Sequence, residues 1–343
     1  MHQRLLILAE GELGVFTAKT ATCLVRYRPE HVVGVLDSVH AGRTTREVLG
    51  TPAAVPVVGT IAEGMALRPD ALVIGIAPPG GALPEAWRPI LRACLDAGVA
   101  VLSGLHTFLG DDPELARLAR ERGTEIVDLR RPPADQPIAG GRARSTRARR
   151  ILTVGTDCNV GKMAATVELV RAARRRGLRA EMAATGQTGM LIAGSGVTLD
   201  RVPGDFMAGW AERLVLERGD ADLVVVEGQG CLLHPAYSGV TLALLHGSLP
   251  DAMVLVHHAG RETIRYQETA IPPLPEWVRR YEDALAPLHR GRVAALAINP
   301  SGLTREQAEA AIARAEDETG LPAADVVREG AERLLAAALA DGK

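Results

Sequence analysis

The residues best suited to chemistry lie in one stretch, Ile151-Leu-Thr-Val-Gly-Thr-Asp-Cys-Asn-Val-Gly-Lys-Met163. An apolar run ends at Gly155, the loop Thr156, Asp157, Cys158, Asn159 and Val160 follows, and Gly161 and Lys162 open an Ala- and Arg-rich segment. This order reads as strand, phosphate-binding loop, helix. Glycines let the backbone turn tightly and admit an anion, while loop N–H groups and the helix N-terminus face it. Lys162 adds a point charge. The sequence has only three lysines, Lys19, Lys162 and Lys343, so a lysine here stands against a strong bias toward arginine. Met163 stands where the standard loop has a Ser or Thr that ligates magnesium, and a thioether does not serve a hard cation. Either other groups hold the magnesium, or no nucleoside triphosphate is split here.

A second cluster begins at Leu223-Val-Val-Val226, an apolar strand that delivers Glu227-Gly-Gln-Gly230. A carboxylate at the end of a strand parallel to the loop strand can meet a metal, a water or a nucleophile beside the phosphates. Glu227 is therefore the first catalytic candidate. Gln229 sits between two glycines that let the backbone approach a ligand. His234 and Tyr237 follow in an irregular polar segment, where a histidine can exchange a proton near neutral pH. Ser238 is positioned either to touch ligand or to cap the next helix. Thr185-Gly-Gln-Thr-Gly189 reads as a glycine-bracketed loop, which makes Gln187 and Thr188 ligand candidates. Asp205 opens a helix and serves either a ligand or the helix N-cap. Of His257 and His258, adjacent on a strand, at most one faces a site. His246 reads as helix packing. No histidine or cysteine spacing completes a zinc ligand set, and no metal is expected.

Two halves must position these groups. With 343 residues, 47% hydrophobic and 23% charged, the chain is long enough for two α/β cores. In the first, strands are expected at Leu5 to Ala9, Val32 to Leu36, Ala71 to Ile76, Val99 to Ser103 and Ile126 to Leu129, with a helix over Val15 to Arg26. Strands alternating with helices imply a parallel, Rossmann-like sheet over residues 1–130. The first turn, Glu10-Gly-Glu-Leu-Gly14, lacks G-x-G-x-x-G, so a dinucleotide role for it and for Asp37 is a minor expectation. Arg43 and the Ala77-Pro-Pro-Gly-Gly81 turn lie after strands, where ligands bind or turns merely close. Residues 131–150, rich in Pro, Gly and Arg, read as a solvated linker. A P-loop α/β domain over 151–343 follows, with strands at Arg179 to Ala184, Leu223 to Val226, Ala252 to Val256 and Val293 to Ile298.

A net charge of -2 and 3% aromatics give no reason to expect a nucleic-acid partner. Four scattered cysteines, no signal segment and no spanning apolar run lead to the expectation of a cytoplasmic protein with reduced thiols, acting on a small molecule, as a homo-oligomer.

The loop Gly155-Thr-Asp-Cys-Asn-Val-Gly-Lys162 resembles that of dethiobiotin synthetase. Taken with Glu10-Gly, Arg26-Tyr27, Thr-Gly-Gln-Thr-Gly, Asp-Phe and the Glu227 to Thr241 string, nearly the whole chain is similar to the P-loop domain-of-unknown-function family 1611. The best-understood members of that family are D-glutamate N-acetyltransferases using acetyl-CoA, and their loop also carries Met after the lysine. The resemblance implies that residues 155 to 163 hold the phosphates of coenzyme A without hydrolytic magnesium. Glu227 or His234 would then be the base for a substrate amine, and Arg43 and Arg261 the partners of substrate carboxylates. The alternatives are a ligase or kinase using ATP with magnesium held by Glu227 and Asp205, or a nucleotide-binding protein without turnover.

Overall fold

The computed structural model describes residues 2–15, 17–76 and 81–340, and it divides into two compact units. The first comprises 1–131 with 190–194, the second 132–189 with 195–343. Each unit is built on a six-stranded sheet whose pairings are all parallel.

In the first unit β1 (Leu5–Leu8), α1 (Lys19–Tyr27), β2 (Val32–Leu36), α2 (Thr45–Leu49), β3 (Val57–Val58), α3 (Ile61–Ala66), β4 (Ala71–Ile74), α4 (Arg88–Asp96), β5 (Ala100–Ser103), α5 (Pro113–Glu121) and β6 (Ile126–Asp128) alternate along the chain. The sheet order is β3-β2-β1-β4-β5-β6, a Rossmann-like arrangement. Its inner strands read as unbroken apolar runs because helices cover both faces, and Leu6, Ile7 and Leu8 are fully buried. Thr44 with Glu47 and Thr60 with Glu63 form capping boxes that start α2 and α3. Asp37, the acid at the end of β2, is spent internally: its carboxylate accepts the Gly11 N–H at 2.8 Å and pairs with His40 at 2.5 Å. Residues 77–80 of the Ala77 to Gly81 turn lie outside the described residues.

In the second unit β7 (Arg149–Gly155) leads through the glycine loop into α6 (Lys162–Arg175). There follow β8 (Ala180–Ala183), α7 (Gln187–Ala193), α8 (Gly204–Leu216), β9 (Leu223–Val226), α9 (Ser238–Ser248), β10 (Ala252–His258), α10 (Leu274–Leu285), β11 (Arg292–Asn299), α11 (Arg305–Thr319), β12 (Ala323–Ala324) and α12 (Glu332–Leu339). The order β12-β11-β10-β7-β9-β8 places β7 between β9 and β10. The ends of those two strands, Glu227 and His257-His258, therefore flank the loop at the carboxyl edge of the sheet, where open parallel sheets bind ligands.

Residues 132–150 of the segment expected as a solvated linker belong to the second unit; Arg142, Arg144 and Arg147 are exposed, whereas Ala143, Ala148 and Arg150 are buried. Fully buried Glu212 on α8 accepts the N–H groups of Gly140 and Arg142 and pairs with the Arg142 guanidinium at 3.1 Å. Arg150, 4% exposed, pairs with Asp251 and donates to the Leu249 and Ala143 carbonyls. Carboxylates far along the sequence neutralise arginines that look solvated when read alone.

Candidate active site

The loop after β7 has the form of an anion cradle. Asn159 and Gly161 both take positive φ, 53° and 114°, which turns the chain into α6; Asn tolerates this region and glycine suits it. Gly155 serves close approach: a Cβ there would lie 3.0 Å from Lys162 Nζ and 3.1 Å from the Asp157 carbonyl. The Lys162 side chain is buried, and its ammonium donates to the Asp157 carbonyl at 2.7 Å. Met163 is 4% exposed, so the position of the usual magnesium-ligating hydroxyl is a buried thioether. Thr166, one turn on, does not replace it, since its hydroxyl contacts the Lys162 carbonyl and Thr153 Oγ1, both at 2.9 Å.

The rest of the unit pins the loop almost residue by residue. The Thr156 N–H donates to the Val256 carbonyl, and the Thr156 hydroxyl meets His257 Nδ1 at 3.0 Å. Burial, then the charges of His258, Arg314 and Arg261, push the His257 pKa down to about 4, so the ring is neutral at pH 7. Its neighbour His258 turns elsewhere and accepts the Gly260 N–H. Asp157 is fully buried, and its carboxylate accepts from the Cys158 N–H, the Arg265 N–H and Arg261 Nη1 at 2.6, 2.7 and 2.8 Å. Arg261 Nη1 also donates to the Cys158 carbonyl at 2.7 Å. Asn299 at the end of β11 donates to the Val160 carbonyl at 2.9 Å.

Glu227 leaves β9 directly beside this loop. It is 5% exposed, and its Oε2 accepts the N–H groups of Thr185 at 2.9 Å and Gly186 at 3.2 Å. The Thr185 hydroxyl returns a bond to the Glu227 carbonyl at 2.7 Å. Gly228 follows, pressed so near β7 that a Cβ would lie 1.6 Å from the Thr153 carbonyl and 3.1 Å from Lys162 Cδ. The Gln229 carbonyl accepts the Thr241 hydroxyl, and its side-chain amide lies against Gly186.

Several expected positions differ. The loop over residues 185–189 is only partly a loop, because Gln187 and Thr188 already belong to the first turn of α7. Gly189 there makes room for the Glu227 carboxylate, whose Oε2 would lie 2.1 Å from a Cβ at that position. Asp205 is exposed in the first turn of α8, and the N-cap is Pro203. Ser238 is likewise inside α9, with Tyr237 at the cap and no side-chain capping bond. His234 is buried with both ring nitrogens at backbone groups: Nδ1 accepts the Ala236 N–H at 3.2 Å and Nε2 meets the Arg265 carbonyl at 3.1 Å. The Tyr237 ring lies 4.3 Å from the His234 ring. Arg43 belongs to the first unit, where it is exposed and donates to the Glu47 carbonyl.

Although the spacing offers no metal ligand set, the fold brings donor atoms of Asp157, Cys158 and His234 within 4.8 Å of one another. The carboxylate and imidazole are already bonded as described. Burial, then Asp157, raises the Cys158 pKa, which keeps the thiol protonated. Sequence reasoning missed Asn299, recoverable as a polar residue ending a strand, and Tyr281, a helix residue with no local signal.

Among the described residues, no helix is long and apolar enough to cross a membrane. Residues 38–132 match the Rossmann-like domain, and 137–335 the P-loop domain, of domain-of-unknown-function family 1611. A protein of Tritonibacter scottomollicae named D-glutamate N-acetyltransferase is 38% identical over 327 residues, 94% of either chain. One of the same name from a Pseudoalteromonas species is 36% identical over 280 residues, covering 81% of this chain and 83% of its own. The crystal structure of a DUF1611 protein from Anabaena variabilis superposes with a TM-score of 0.93 at 42% identity, covering 98% of this chain and 99% of the other. The chain thus belongs to the DUF1611 family, with a Rossmann-like N-terminal domain and a P-loop C-terminal domain.

Proposed function

We propose that this protein transfers an acetyl group from acetyl-CoA to the amine of a small acidic amino acid such as D-glutamate. The observation that carries the reading is a formed anion cradle with a buried thioether at residue 163, in a chain whose 36% and 38% identical relatives bear that enzymatic name. The cradle fits a diphosphate: the loop amides, the N-terminus of α6 and Lys162 offer positive ends, and Gly155 leaves the ammonium room. Coenzyme A needs only to be held by its phosphates, so no oxygen ligand for magnesium is called for at Met163.

Acetyl-CoA supplies the thioester. An amine must lose its proton to form the C–N bond as the C–S bond breaks, and the departing thiolate takes up a proton. Glu227 is favoured over His234 as the base, because both ring nitrogens of His234 have backbone partners. The Thr185 and Gly186 amides aim the Glu227 carboxylate, and general-base catalysis of this kind contributes roughly 10²- to 10⁴-fold. Arg261 is assigned to a substrate carboxylate, and Gln187, Thr188, Gln229 and Tyr237 to its other polar groups.

Calorimetric titration with coenzyme A and with ATP, each with and without magnesium, tests the reading. Metal-independent binding of coenzyme A, followed by acetylation of D-glutamate by the same preparation, is the expected result. Binding of ATP only with magnesium, and no response to coenzyme A, would replace it with the ligase or kinase alternative.

A further inference from the structure

We propose that Tyr281 is a positioning residue that holds Gly155, the first glycine of the phosphate loop, in place; its kinetic consequence rests on the acetyl-CoA reading above. The β7–β9 pairing ends at Leu152 and Val226, and beyond it the Gly228 N–H bonds the Thr153 hydroxyl rather than continuing the ladder. On its other edge β7 stays paired with β10 as far as Gly155 and Val256. The N–H and carbonyl of Gly155 are thereby left without a strand partner on the β9 side, and buried backbone groups require one.

Tyr281, fully buried on α10, fills that place. Its hydroxyl donates to the Gly155 carbonyl at 2.6 Å and accepts the Gly155 N–H at 3.3 Å. One hydroxyl thus takes both backbone groups of the first glycine of the phosphate loop. Gly155 also lies against the Lys162 ammonium, which a Cβ there would approach to 3.0 Å, so a shift of this glycine bears on the lysine as well. Trp277, one turn earlier, stacks on Tyr281 at 5.9 Å between ring centroids. A phenylalanine would keep the packing and remove only the link.

The test compares Tyr281→Phe with Trp277→Phe, a variant that disturbs the same helix face and leaves the hydroxyl. In Tyr281→Phe the KM for acetyl-CoA should rise about tenfold with the acceptor KM within about twofold, as expected when buried bonds to one binding loop are lost. Amide exchange at Gly155 should accelerate by about tenfold or more in the ligand-free variant, with Ile151 and Leu152 little changed. Wild-type acetyl-CoA KM and amide protection in Tyr281→Phe would overturn the proposal, and so would an equal rise in KM in Trp277→Phe. If Tyr281→Phe does not fold, exchange in the wild-type protein decides: a Gly155 amide protected as strongly as those of Ile151 and Leu152 supports the bond, and fast exchange at Gly155 refutes it. The exchange measurements need no ligand, so they stand even if wild-type protein shows no acetyl transfer, a result that would count against the functional reading alone.

Discussion

Replacing Glu227 by Gln separates chemistry from architecture. The side chain is nearly isosteric and 5% exposed, and its oxygen can still accept the Thr185 and Gly186 N–H groups. Hydrogen bonds to a charged acceptor contribute about 1.5 to 3 kcal/mol and neutral ones about 1, so weakening the two costs about 2 kcal/mol. Against this, the variant no longer buries a carboxylate, a gain of the opposite sign. Net stability should therefore stay within about 2 kcal/mol of wild type, a shift in melting temperature of about 4 to 8 °C at most. Removing a general base instead raises the barrier by about 3 to 5 kcal/mol, or roughly 10²- to 10⁴-fold in rate. The assay pairs thermal unfolding with kcat/KM for acetyl transfer and the Kd for coenzyme A, which should be unchanged. Turnover within a few-fold of wild type would refute Glu227 as the base. Unfolding of the variant would show that the charge itself organises the 185–186 turn.

Three further outcomes follow from the same geometry. The His257 pKa lies near 4 in the fold against 6.5 when exposed, so the unfolded chain binds more protons in that interval; this contribution to stability is complete above about pH 6.5 and is lost as pH falls toward 4. From pH 7 to 5 it amounts to about 2 kcal/mol, and urea midpoints of wild type should fall more over that range than those of His257→Asn; parallel slopes would contradict the assignment. Gly189→Ala puts a methyl 2.1 Å from Glu227 Oε2, and driving the carboxylate off its two amides should cost about 2 to 4 kcal/mol along with most activity; wild-type melting and rate would mean that the carboxylate lies elsewhere. Met163→Ser exchanges a buried thioether for a small hydroxyl and should destabilise by about 2 to 4 kcal/mol while coenzyme A binding stays independent of magnesium, as denaturant midpoints and calorimetry would report.

Sequence pattern located what depends on local physics. Leu223 to Val226 reads as a strand because four consecutive apolar residues suit a position buried on both faces, and the structure gives it the same bounds. The two-residue edge strands β3 and β12 carry too little pattern to be seen. The glycines bracketing residues 185–189 suggested a loop, yet Gly189 lies within a helix and is small because a distant carboxylate needs the space. Arg150 looked solvated with the rest of its run because its partner, Asp251, is about 100 residues away. Tyr281 and Gly155 are 126 residues apart, and no periodicity marks a helix residue whose function is to replace a missing strand.

Arg261 shows how the same physics complicates the test of substrate recognition. A buried carboxylate would oppose the phosphate binding proposed for this loop, yet Asp157 is fully buried in it. The Arg261 guanidinium and the N–H groups of Cys158 and Arg265 surround that carboxylate, leaving Lys162 and the α6 N-terminus to set the field toward a phosphate. Removing Arg261 would unmask the Asp157 charge beside the cradle, so phosphate affinity should fall even if no substrate ever touches the guanidinium. Loss of activity in Arg261→Ala therefore does not by itself identify a contact to the acceptor. A rise in acceptor KM at unchanged coenzyme A affinity would assign Arg261 to the substrate, and weakened coenzyme A binding at unchanged acceptor KM would assign it to the loop.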